Sequence, residues 1–194
     1  MKVEHLFILD PLKKLNFQLD TSLKLAKALS ECKQKIFFTN SGDIFWENGS
    51  LQAKAFVQPL LGWHEVETPV LGASYLKSLG SFKSIQMRLE PPVDRQYLLL
   101  TNMLDSLSSK VPVINHPESL RSLNEKLLCF LYPKVSLPGV FSSKVSILEN
   151  YIEKKAVKSW VIKPADLFGG KEIEKIDITS KKSLRQKLEE KTKK

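Results

Sequence analysis

Cysteine is scarce in this 194-residue chain, with Cys32 and Cys129 the only two. They form no CxxC pair, so neither a disulfide framework nor a thiolate zinc site is supported. Each reads instead as a small structural hydrophobe in a helical segment. Histidine is equally sparse: His5, His64 and His116 show no ligand spacing to one another and read as structural. Long apolar runs are missing. None approaches the roughly 18–20 residues that span a bilayer, and the stretch after Met1 is too short, and too close to Glu4, for a secretory signal. A cytoplasmic protein without a membrane partner is expected. There is no internal repeat, and no low-complexity segment outside the charged C-terminal end, which sets aside repeat arrays and linker-like chains.

What is present suits a globular fold. Hydrophobic residues make up 42% and charged residues 26%, ordinary for a packed domain. The length allows one substantial core, or one domain and part of another. The net charge of +9 is unevenly placed: Lys181–Lys194 holds seven Lys or Arg against two Glu, leaving only +4 for the rest. No aromatic side chain interleaves with this basic end, and Ser183–Lys191 reads as an exposed helix. A nucleic-acid partner is therefore not expected.

The elements alternate along the chain. Val3–Leu9 is a compact apolar run ended by Asp10-Pro11, as for a buried strand. Asp20-Thr21-Ser22 supplies capping chemistry for a helix to about Lys33, and Lys35–Thr39 is a second strand. Asp43–Trp46 and Leu51–Phe56 flank Asn48-Gly49, the signature of a type I′ hairpin. Residues 58–82 read as irregular, broken by Pro59, Gly62, Pro69, Gly72 and Gly80. Ser84–Leu89 is a strand, Asp94 caps a helix to about Ser108, and Val111–Asn115 is a short strand. Pro117 opens a helix carrying Leu120, Leu123 and Leu127. Ser143–Lys155 is a helix, Trp160–Ile162 a strand, Gly169-Gly170 a turn, and Glu172–Ile178 a strand before the basic helix. Strands alternating with helices predict an α/β fold with a mainly parallel sheet. In such sheets ligands gather beyond the carboxyl ends of the strands, where Asp10, Arg88 and Asn115 fall.

Five segments in order then resemble bacterial glutathione synthetase, an ATP-grasp ligase. They are Leu9-Asp10-Pro11 with Asn16 and Asp20-Thr21-Ser22; Gly42-Asp43-Ile44-Phe45 with Asn48-Gly49; Met87-Arg88-Leu89-Glu90-Pro91-Pro92-Val93-Asp94; Asn115-His116-Pro117-Glu118-Ser119-Leu120-Arg121 with Asn124-Glu125-Lys126-Leu127; and Val161-Ile162-Lys163-Pro164 with Asp166 and Gly169-Gly170. The resemblance implies a Rossmann-like pre-ATP-grasp domain on the substrate side over residues 1–123. Residues 124–194 would be the first part of an α+β ATP-grasp domain, incomplete, with a basic helical tail.

In that family ATP and Mg²⁺ activate the carboxylate of γ-glutamylcysteine as an acyl phosphate, which the amine of glycine attacks. By the same resemblance Lys126 and Lys163 correspond to nucleotide-contacting lysines, and Gly169 and Gly170 to the small phosphate loop, where glycine admits positive φ and close backbone approach. The family pattern there is Asp-Gly-Met-Gly-Gly, so Leu167 stands where it has glycine. Arg88 reads either as a guanidinium for a substrate carboxylate or phosphate, or as a structural ion-pair partner. Asp10, Asn16 and Ser22 would line the substrate side, although Asp10 and Ser22 also suit turn and capping roles. No catalytic residue is assigned. The acidic residues Glu172, Glu174, Asp177, Glu189 and Glu190 lack metal-ligand spacing, so no metal site is expected here. The implied partners are the small-molecule substrates, with a homo-oligomer or a complementing chain to complete the site, and residues 124–194 should expose an apolar patch. A non-catalytic binding or interaction protein derived from this family is the alternative.

Overall fold

The computed structural model describes residues 3–57, 71–155, 157–167, 169–178 and 180–192, so His64 and most of the breaker-rich stretch lie outside the described residues. The chain divides into two compact units, Met1–Ser122 and Leu123–Lys194.

The first unit is a three-layer α/β arrangement. Strand β1 (Glu4–Ile8) pairs in parallel with β2 (Lys35–Thr39), Leu6 opposite Phe37, and with β6 (Ser84–Met87), Leu6 opposite Ile85. β6 pairs in parallel with β7 (Val113–Ile114). From Leu6 onward β1 is apolar, because it is covered on both faces. Leu6 and Ile8 join one core cluster with Leu100 and Leu104 of α2 (Arg95–Asp105). Phe7 and Leu9 join the other, with Leu23 and Ala26 of α1 (Thr21–Glu31). Both helices start where their caps dictate: Asp20 accepts from Leu23 N–H at 2.8 Å, and Asp94 from Tyr97 N–H at 2.9 Å.

An antiparallel flank extends the sheet beyond β2. β3 (Ile44–Glu47) and β4 (Ser50–Val57) form the hairpin, turned by Asn48 and Gly49 at φ +49° and +75°, and the far end of β4 pairs with β2. Within the stretch that its prolines and glycines predict to be irregular, β5 (Ser74–Ser78) instead pairs antiparallel with β4. Ser-Tyr-Leu-Lys-Ser has no alternation of its own, and its partner strand is what makes it a strand. The spacing of Leu120, Leu123 and Leu127 predicts one helix running on from Pro117. The structure breaks it into α3 (Pro117–Ser122) and α4 (Leu128–Leu131), because Asn124 caps its own turn, accepting from Lys126 N–H at 2.9 Å. Cys32 is exposed at the C-terminal end of α1 rather than buried.

The second unit packs α5 (Val145–Glu153) and α6 (Lys181–Thr192) on one face of an antiparallel hairpin, β8 (Ser159–Ile162) and β9 (Glu174–Asp177). Its core is small: Ile152, Ile176, Leu184 and Leu188 are buried, with Trp160, Ile162 and Ile178 against them. The basic end is therefore a docked helix. Leu184 and Leu188 face the core, Lys187 and Lys191 pair with Glu174, and Arg185 pairs with Glu149 and Glu189. Among the described residues no helix is long and apolar enough to cross a membrane.

Candidate functional site

In the first unit, the chain leaves β1 through α1 to β2 on one side, and leaves β6 through α2 to β7 on the other. The adjacent carboxyl ends of β1 and β6 are thus a topological switch point, where an open parallel sheet forms a crevice. Arg88 follows β6 directly, its backbone N–H held by the carbonyl of Ile8 at 3.0 Å. Its Nε donates to Ser22 Oγ at 2.9 Å and its Nη2 to Thr21 Oγ1 at 3.0 Å. Because Asp20 caps α1, the hydroxyls of Thr21 and Ser22 are free to receive the guanidinium.

Two fixed bonds leave Nη1 without a partner among the described residues, so Arg88 is a rigid fork with donors to spare. That is the chemistry of carboxylate and phosphate recognition. Asp10 sits opposite, its Oδ2 accepting from the backbone N–H of Glu90 at 2.9 Å, which ties the loop after β1 to the loop after β6. The peptide bonds Pro91–Pro92 and Ile114–Asn115, at the same end of the sheet, are cis. The structure thus brings Asp10, Ser22 and Arg88 to one crevice. Asn16 is engaged elsewhere, its Oδ1 accepting from the N–H groups of Gln18 and Leu19 at 3.1 Å each in an exposed turn. Thr21 was missed in the sequence as a guanidinium partner, since beside Asp20 it carried only a capping signal.

In the second unit, Lys163 follows the last residue of β8, exposed and with no hydrogen bond or ion pair to any described residue. The connection to β9 turns at Gly169 and Gly170, at φ +61° and +76°. A Cβ at either would meet nothing within 4 Å, so the demand for glycine is conformational rather than steric. Lys126 is differently placed: its Nζ donates to the carbonyls of Ala165 and Leu167 and pairs with Glu125 at 3.5 Å. Asn124 Nδ2 donates to the same Ala165 carbonyl at 2.9 Å. Asn124 and Lys126 therefore clasp the base of the glycine turn, a role that sequence spacing could not show.

An exposed ammonium followed within seven residues of chain by consecutive left-handed glycines suits a polyphosphate, which needs mobile cationic donors and accessible backbone N–H groups. A divalent metal fits less well: no group of three His, Cys, Asp or Glu among the described residues could hold one. Glu174, the acid nearest in kind, has its carboxyl held below the usual range by its hydrogen bond and charge interaction with Lys187, aided by Lys191.

The sequence profile of the prokaryotic glutathione synthetase N-terminal domain matches residues 3–121. The glutathione synthetase of Pseudomonas syringae pv. tomato is 29% identical over 180 residues, covering 89% of this chain and 54% of that protein. That of Synechocystis sp. is 33% identical over 174 residues, covering 85% and 53%. That of Prochlorococcus marinus is 31% identical over 169 residues, covering 87% and 53%. The chain spans about half the length of the curated relatives it matches.

Proposed function

The chain belongs to the prokaryotic glutathione synthetase family, and we propose that it supplies the substrate-side domain and one wall of the nucleotide site of an ATP-dependent carboxylate–amine ligase. In this reading residues 1–123 form the pre-ATP-grasp domain and residues 124–194 the first part of an ATP-grasp domain. The substrates are γ-glutamylcysteine and glycine, and the setting is the cytoplasm. When bound, ATP would supply the phosphoryl group that activates the substrate carboxylate, and Mg²⁺ would offset its charge.

What this chain's own residues do is bind and orient. Arg88, fixed on Thr21 and Ser22, offers a preorganised fork to a carboxylate at the switch point, which lowers the entropic cost of holding it. Lys163 offers three donors to phosphate oxygens, and Gly169-Gly170 lets backbone N–H groups approach them. Lys126 and Asn124 hold the base of that turn in place. Metal ligands would come from polypeptide corresponding to the rest of the relatives' length.

The observation that carries the reading is Lys163, exposed and unpaired among the described residues at the exit of β8, shortly before two left-handed glycines. Titration of the chain with a fluorescent ATP analogue tests it. Weak binding should fall about tenfold or more in Lys163→Ala, the scale of one charge-assisted contact. Equal affinity in the variant sinks the nucleotide assignment. A second reading, a binding protein without ligase chemistry, is favoured by Leu167 at a family glycine. It is selected if γ-glutamylcysteine binds through Arg88 while nucleotide binding is absent.

A further inference from the structure

We infer that the crevice at the carboxyl ends of β1 and β6 is built for the charged α-amino-acid head of the acid substrate, Arg88 taking its carboxylate and Asp10 its ammonium. This deepens the proposed function and rests on it. The two residues carry opposite charges on neighbouring strands. Ile8 stands in register with Met87, and Asp10 and Arg88 follow them directly in the two loops. Adjacent parallel strands lie roughly 5 Å apart, close enough for a carboxylate and a guanidinium to form a bidentate pair. They form none, and neither has an ion pair to any described residue. Each is tied elsewhere instead. Ser22 and Thr21 hold Nε and Nη2 of Arg88 at 2.9 and 3.0 Å, and the Glu90 N–H holds Oδ2 of Asp10 at 2.9 Å. Nη1 of Arg88 and Oδ1 of Asp10 are left without a partner among the described residues.

A half-buried cation and a half-buried anion, neighbours yet kept from pairing, leave Coulomb attraction unused. The ligand that recovers it carries a negative and a positive group on one carbon, which describes a zwitterionic α-amino acid. A carboxylate alone would match Arg88 but meet like charge in Asp10. γ-Glutamylcysteine and glycine both have such a head, and the chemistry separates them. The amine of glycine becomes an amide, so it gives up its charge during the reaction. The glutamyl head passes through unchanged, because the carboxylate that is activated belongs to the cysteinyl end. Fixed charges suit the group that does not react, and binding it orients the group that does. Glu90, the other acid on these loops, is exposed and lies toward Tyr97, whose phenol is pushed up by burial and by the Glu90 charge. Glu90 is therefore the control.

Calorimetric titration of the 194-residue chain tests the assignment with γ-glutamylcysteine and two analogues. N-glutarylcysteine lacks the α-ammonium, and N-(4-aminobutanoyl)cysteine lacks the α-carboxylate. Asp10→Asn keeps an oxygen for the Glu90 N–H and removes only the charge. It should weaken γ-glutamylcysteine binding about tenfold or more, the scale of one charge-assisted contact, and leave N-glutarylcysteine unchanged. Arg88→Gln should weaken γ-glutamylcysteine at least as much and leave N-(4-aminobutanoyl)cysteine unchanged, while Glu90→Gln should alter none of them. Circular dichroism verifies that the variants fold. Equal losses for every ligand would mean that Asp10 and Arg88 only hold the loops, and would overturn the proposal. So would full affinity for γ-glutamylcysteine in Asp10→Asn, a loss in Glu90→Gln, or no binding of γ-glutamylcysteine by the unaltered chain. In that last case Lys163-dependent nucleotide binding still upholds the ligase reading. Head-specific losses in a chain that binds no nucleotide uphold this subsite and defeat that reading.

Discussion

The two units of this chain solve the burial problem to different degrees. Met1–Ser122 has two core clusters, one on each face of its sheet, together burying twenty-two apolar side chains. Leu123–Lys194 has one cluster with four. Among the described residues of the second unit, eleven large apolar side chains are exposed, nearly three times the number buried in its cluster. Since burial of apolar surface is the dominant favourable term in folding, the first unit can stand by itself and the second has surface left to cover.

Their charges tell the same story. Glu4 in the first unit sits between Lys35 and Lys77, whose ammoniums also lie over the rings of Phe37, Tyr75 and Phe82. Burial alone would raise the Glu4 carboxyl, but the two lysines hold it below its ordinary value. Glu174 makes the corresponding pair with Lys187 and Lys191 in open solvent, where such pairs contribute little.

The comparison is broken most forcefully at Phe7, fully buried against Phe38 and α1. Phe7→Ala should cost about 3–5 kcal/mol and be read as a fall in the denaturant midpoint of the first unit. A loss below about 1 kcal/mol would mean that its second core cluster is not cooperative with the first.

The doubly covered strand that makes Phe7 so costly was legible in the sequence, because Leu6–Leu9 has no polar member and only burial on both faces suits that. Asn48-Gly49 named its turn for the same kind of local reason. β5 was not legible, since its pairing with β4 is imposed from outside. The site divides likewise. The positions of Asp10 and Arg88 at strand ends could be read from the chain, but the bonds from Arg88 to Thr21 and Ser22 span 66 residues or more and leave no local pattern. Lys126 looked like a phosphate ligand, and only the fold shows its ammonium on the carbonyls of Ala165 and Leu167.

A smaller effect sharpens the contrast through pH. Burial holds the His5 imidazole below its ordinary value near 6.5, with Lys83 adding to this and Gln34 opposing it. The unfolded chain takes up a proton near pH 6.5 while folded His5 does not. Stability is thus greatest above that pH and falls as pH drops from 6.5 toward the lowered folded value. The second unit contains no histidine and lacks this dependence. Thermal unfolding at pH 7.5 and 5.5 should show the loss, and His5→Gln should flatten it; an unchanged slope in the variant would assign the effect elsewhere.

Hydrogen exchange of the backbone amides measures the asymmetry between the units most directly. The account predicts that β1 and β6 exchange only through global opening, and that β8 and β9, resting on four buried side chains, exchange at least about a hundredfold faster. Protection of β8 and β9 equal to that of β1 and β6 in the isolated chain would contradict it.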